Sequence, residues 1–104
     1  PTYTPTLITP TSALNAAPKR NFYTTHTPTL TWNRVTWATQ YEVQISTDIN
    51  FAPAATLIVF ADTTLTYTTG NLPNGTYYWR VRALNGTYTG NWSLTDTIVI
   101  SAPP

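Results

Sequence analysis

Ten side chains in this sequence of 104 residues carry a charge or an imidazole: five Lys or Arg, four Asp or Glu, and one His. Acid–base catalysis needs at least two such groups converging on one substrate atom. Glu42, Asp48, Asp62 and Asp96 fall instead on a predicted strand, a turn, a loop and the last strand, and His26 stands alone in Thr24-Thr25-His26-Thr27-Pro28. No serine sits in a Gly-x-Ser-x-Gly elbow, and no glycine run can cradle a phosphate. With no cysteine, thiol, disulfide and iron–sulfur chemistry are excluded. Asp48-Ile49-Asn50 could offer two oxygens to calcium, which wants six to eight; in a turn these residues bond their own backbone. Lys19 is the one lysine and so the one candidate for an isopeptide cross-link, but it lies in a polar stretch between Pro18 and Arg20. The expectation is no catalytic residue, no metal and no cofactor. The formal net charge of +1 provides no electrostatic footprint for nucleic acid.

The elements that would position these groups are strands. Thr makes up 24 of the 104 residues and Pro nine; no segment keeps a 3.6-residue apolar period, and Thr, Tyr, Val, Ile and Trp dominate, an all-β composition. Seven runs separated by Pro, Gly, Asn and Asp read as strands: 6–9, 29–32, 40–46, 56–61, 65–68, 76–84 and 94–101. Their spacing predicts a seven-stranded antiparallel β-sandwich. Alternation is clearest in two runs. Tyr41, Val43 and Ile45 face inward with Gln40, Glu42 and Gln44 outward; Tyr77, Trp79, Val81 and Ala83 face inward with Tyr78, Arg80 and Arg82 outward. If the two runs are neighbours, Glu42 lies across from Arg80 or Arg82 as a half-exposed ion pair.

Thr29-Leu30-Thr31-Trp32, Tyr41-Glu42-Val43-Gln44-Ile45-Ser46 and Leu72-Pro73-Asn74-Gly75-Thr76-Tyr77-Tyr78-Trp79-Arg80-Val81-Arg82-Ala83 together resemble a fibronectin type III domain, of the variety repeated on large bacterial surface proteins. The resemblance runs from about Pro5 to Ile100 and is specific for fold, not for activity. It implies that Trp32 is a core residue of the second strand. It also implies that Leu72 and Tyr77 form a corner whose tyrosine hydroxyl bonds backbone. With Tyr41 and Trp79, these make the expected structural core. A tryptophan at the position of Trp92 packs on the sheet in the domains this chain resembles.

Two features point to partners. The run Ala54-Ala55-Thr56-Leu57-Ile58-Val59-Phe60-Ala61 is apolar on both faces, where the resemblance implies an edge strand half in water. Uncharged edges invite pairing with another chain. Thr97-Ile98-Val99-Ile100 shows the same habit, so Leu57, Ile58, Val59, Phe60, Ile98, Val99 and Ile100 are the expected interface. The second feature is a set of rings: Trp37, where the family pattern more often has glycine, Tyr88 at the last loop tip, and Tyr78. Trp37 and Tyr88 fall on loops at the same end of such a sandwich, where neighbouring rings would form a platform for a sugar or a proline-rich tail. Asn74, Asn85 and Asn91 each begin an Asn-x-Ser/Thr sequon, and the Asn-Gly pairs among them also simply make turns.

The longest apolar run is far short of the ~20 residues a spanning helix needs, so no membrane insertion is expected. The expected organisation is a Pro/Thr-rich linker at 1–5, the sandwich at 6–101 and a Pro-rich linker at 102–104. Thr-rich, Lys-poor composition and proline at both ends fit an extracellular or cell-surface structural module. Its partners would be other copies of itself, in a homopolymer or tandem array. Two other expectations stand beside it: an adhesion module binding carbohydrate through the loop aromatics, and an inert spacer in a secreted enzyme.

Overall fold

A computed structural model describes residues 20–32 and 34–103. The strand expected at 6–9, the linker at 1–5 and Lys19 lie outside the described residues. Eight strands follow in chain order: β1 (Arg20–Tyr23), β2 (Thr29–Thr31), β3 (Gln40–Ser46), β4 (Thr56–Ala61), β5 (Thr66–Thr68), β6 (Gly75–Asn85), β7 (Tyr88–Thr89) and β8 (Asp96–Ile100), with one 3-10 turn at Pro53–Ala55 before β4. They form two sheets. One runs β1-β8-β6-β3-β4 with β7 also on β6; the other is the antiparallel pair β2-β5.

The core follows from the period of two. Tyr41, Val43 and Ile45 on β3, Tyr77, Trp79, Val81 and Ala83 on β6, and Ile98 and Ile100 on β8 are buried on one face of the larger sheet. Leu30 and Trp32 meet them from the smaller sheet, with Leu65 and Tyr67 packed alongside. The outward positions of the smaller sheet are threonines, and the Thr29 and Thr68 hydroxyls bond across it at 2.9 Å. A β-branched side chain with a hydroxyl suits a pleated surface in water, which is one use of so much threonine. Among the described residues the buried Trp32 indole N–H has no hydrogen-bond partner. That deficit works against the ring's burial and its tilted contact with Tyr41 at 5.7 Å.

The last strand departs from the continuous run expected at 94–101. Gly86, at φ +60, makes the tight turn that sends the chain back from β6 into β7. Gly90 N–H then bonds Ala83 C=O, and Ser93 N–H bonds Val81 C=O. Between β7 and β8 the register against β6 slips by two residues, an even number that keeps Ile98 and Ile100 inward. The slip is a bulge, and it carries Trp92 out over the sheet.

Two expectations change. β8 is not an edge: β6 pairs with it on one side and β1, running parallel, on the other. Nor does a linker begin at 102. Ala102 is buried in the core cluster, and the Asn74 side chain donates to Ala102 C=O at 3.0 Å and accepts from its N–H at 2.9 Å.

Candidate functional site

The outer face of the larger sheet gathers the charged groups. Glu42 lies across from Arg82, and Gln44 across from Arg80. Glu42 Oε1 accepts from Arg82 Nε at 2.8 Å and Nη2 at 2.6 Å, while Oε2 accepts from Gln44 Nε2 at 3.0 Å. Gln44 Oε1 in turn accepts from Arg80 Nε at 3.1 Å and Nη2 at 2.8 Å. The Arg80 guanidinium is clamped between the rings of Phe51 and Trp92, each at 4.1 Å, and Arg82 lies 4.3 Å from the Trp92 ring. Burial, and then the neighbouring Arg82 charge, lower the Arg80 pKa from its usual value, while Glu42 acts the other way. The ion pair is more enclosed than a half-exposed one, because Glu42 is 5% exposed.

Phe51 reaches this ladder through a strained turn. Its φ is +56, a conformation costing a non-glycine residue about 1–2 kcal/mol, and its N–H closes a turn onto Asp48 C=O at 2.9 Å. Both Asp48 carboxylate oxygens accept backbone N–H groups, from Asn50 at 3.0 Å and Ala52 at 3.3 Å. The residues that could have served calcium therefore hold the loop that presents Phe51. Sequence alone does not show this convergence. The Arg-Val-Arg alternation signalled two outward guanidiniums, but nothing local to residues 47–55 says that their loop lies over β6.

Among the described residues, no group of three or more Asp, Glu or His could hold a metal ion. Asp96 is buried at the start of β8, where its charge adds to burial in raising the Tyr23 phenol pKa. His26 Nδ1 bonds Leu72 C=O at 2.7 Å.

The expected ring platform does not assemble. Trp37 and Tyr88 do meet, with centroids 5.3 Å apart, but at 82° to each other, so they share no flat face. Trp37 packs against the core, and Asn85 Nδ2 donates to its C=O at 2.7 Å. Tyr78 pairs with Ser46 and Thr97, seven residues along β6 from Asn85 and so about 23 Å away. Of the sequon asparagines, Asn74 and Asn85 spend their amides on Ala102 and Trp37, and Asn91 lies exposed in the bulge.

The expected interface divides in two. Ile98 is 0% and Ile100 2% exposed: their side chains face into the core, β1 and β6 occupy both edges of their strand, and Val99 is half-buried. On β4, by contrast, Leu57, Ile58 and Phe60 are 48%, 49% and 58% exposed, and Val59 packs inward against the core. Among the described residues no strand pairs with the outer edge of β4. The remaining core positions are set by contact: Trp32, Tyr41, Tyr77 and Trp79 are buried, Leu72 is half-buried against them, and the Tyr77 hydroxyl donates to Pro73 C=O at 2.6 Å.

Comparison with solved structures gives this arrangement a family likeness. The chain superposes on the crystal structure of FN3tt with a TM-score of 0.62 at 23% identity, covering 82% of this chain and 87% of that one. It superposes on a mutant FN3tt with a TM-score of 0.55 at 26% identity, covering 74% and 77%. The third match is a solution structure, the 6th fibronectin type III domain of human fibronectin type III domain containing protein 3. There the TM-score is 0.58 at 22% identity, over 89% of this chain and 96% of that one. The chain has the fibronectin type III fold. No protein-family model matches it, and no curated protein matches it. Fibronectin type III domains are in general non-catalytic modules, and the fold is that of a structural module. No described helix is long and apolar enough to cross a membrane.

Proposed function

We propose that this fibronectin type III domain is a non-catalytic structural module of an extracellular fibre or of a tandem-repeat cell-surface protein, associating with other copies of itself. One observation carries the reading: among the described residues no strand pairs with the outer edge of β4, which carries three large exposed apolar side chains and no charge between Thr56 and Ala61. Isolated domains usually blunt such an edge with lysine, proline or a bulge, and β4 pairs with β3 over six consecutive residues without one. The test is in the source cells. Antibodies against the folded domain are expected to decorate the outside of intact cells or isolated surface fibres at a regular spacing. Labelling confined to the cell interior overturns the reading.

A further inference from the structure

Which backbone groups β4 presents can be read through the sheet. Val81 exchanges bonds with Ser93, its C=O accepting from Ser93 N–H and its N–H donating to the Ser93 hydroxyl, and Ala83 C=O accepts from Gly90 N–H. Odd-numbered residues of β6 therefore bond toward the β7–β8 side and even-numbered ones toward β3. Val43 lies across from Val81 on one side and Val59 on the other. Odd-numbered residues of β3 thus bond β4, and their partners there are Leu57, Val59 and Ala61. The bond from Thr47 N–H to Ala55 C=O keeps the same phase. What remains pointing outward is the N–H and C=O of Ile58 and Phe60, together with the Thr56 C=O, the Thr56 N–H being already bonded to Pro53 C=O. Among the described residues no strand lies opposite these outward groups, and the side chains of Ile58 and Phe60 stand on the outer face, 49% and 58% exposed.

We propose that the occupant of this edge is a second copy of this chain, its β4 laid antiparallel about a twofold axis through Val59, so that two six-stranded sheets join into one. The proposal rests on the structural-module reading and names the contact within it. Its ground is that the edge is self-complementary. With Val59 on the axis, Ile58 of each copy lies across from Phe60 of the other, and all four outward N–H groups meet outward C=O groups. The two exposed side chains then cover each other on the outer face. Centring on Ile58 instead would set Phe60 against Thr56, whose N–H is spent. Charge does not oppose the pairing. The nearest acid on the strand's end, Asp62, falls opposite Thr56 of the second copy and not opposite its own counterpart. Glu42, beneath Phe60, is already neutralised by Arg82.

The full chain has no cysteine, so a single introduced thiol reports the register. Across a non-hydrogen-bonded antiparallel pair the Cα atoms stand about 4.5 Å apart, within reach of a disulfide, while Ile58 and Ile58 of the second copy would be about 8 Å apart and beyond it. Under mild oxidation Val59→Cys is expected to give a disulfide-linked dimer and Ile58→Cys none. By sedimentation the unmodified chain is expected to dimerise, Phe60→Lys to weaken the dimer at least about tenfold, and Leu94→Lys, exposed but off the edge, to leave it unchanged. A chain that stays monomeric at millimolar concentration overturns the proposal. So does a dimer that survives Phe60→Lys and gives no Val59 cross-link, which would assign the contact to residues 1–19 or to another surface. Neither result touches the cell-surface labelling: a monomeric chain removes self-association through β4 and leaves the extracellular placement standing, and labelling confined to the cell interior does the reverse.

Discussion

At the scale of single residues, polar side chains here act as fasteners for the backbone. Asn74 holds Ala102 by two bonds at net values of about 0.5–1.5 kcal/mol each. Asn74→Ala is therefore expected to lower stability by about 1–3 kcal/mol in urea titration. Tyr77 closes its corner with a 2.6 Å bond to Pro73 C=O, and burial raises its phenol above the ordinary 10.0. Below pH 10 the phenol is neutral in both states and its full contribution is present. As pH rises past 10 the unfolded phenol ionises first, so stability falls until the folded pKa is passed. Urea midpoints measured from about pH 8 to pH 11 are expected to decline at the upper end, and Tyr77→Phe is expected to flatten part of that decline. The remainder belongs to Tyr23, raised first by burial and then by Asp96. The corner at Leu72 and Tyr77 was implied by the resemblance to fibronectin type III domains; the use of Asn74 was not legible, because Asn-Gly makes turns whether or not its amide has a distant carbonyl to hold.

At the scale of elements, the outer face of β3 and β6 is a ladder that ties a loop and a bulge to the sheet. Removing the Trp92 ring takes one face from Arg80 and the ring contact from Arg82, whose ion pair with Glu42 remains, and cation–π contacts contribute about 0.5–2 kcal/mol each. Trp92→Ala is expected to lower the melting temperature markedly, with a double-mutant cycle against Arg80→Met showing coupling of about 1 kcal/mol or more. Additive losses would mean that the ring merely covers the sheet. The same scale separates core from edge among the apolar residues. Ile98→Ala is expected to cost about 2–5 kcal/mol with any self-association constant unchanged, while Phe60→Lys is expected to change stability by less than about 0.5 kcal/mol. In sequence the two runs look alike, since Leu57–Phe60 and Ile98–Ile100 are both uncharged and apolar on both faces. What distinguishes them is that β1, four residues with no alternation of their own, pairs with β8, while among the described residues nothing pairs with the outer edge of β4.

For the whole molecule, the scarcity of charge sets how copies meet. With a net charge of +1 and 9% charged residues, long-range repulsion between copies is small, and contact is governed by apolar side chains and backbone bonds. Raising salt from about 0.1 M to about 1 M shortens the screening length from about 10 Å to about 3 Å. The dimerisation constant is therefore expected to change less than about threefold across that range when measured by sedimentation. Dissociation in high salt would instead assign the contact to ion pairs, and the outer-face arginines would be the first candidates.

The sequence by itself determined the layers of this domain. A period of two in Tyr41–Ile45 and Tyr77–Ala83 can be satisfied only by strands with one dry face, and Pro and Gly between the runs leave no room for helices. That information is local, written in side chains two residues apart. Only the tertiary structure decided which strand is an edge, that Phe51 and Trp92 meet on Arg80, that Trp37 and Tyr88 stand at right angles, and that Ala102 belongs to the core. Each of these joins residues dozens of positions apart, and the free energy of such a contact depends on what the rest of the chain has already brought alongside.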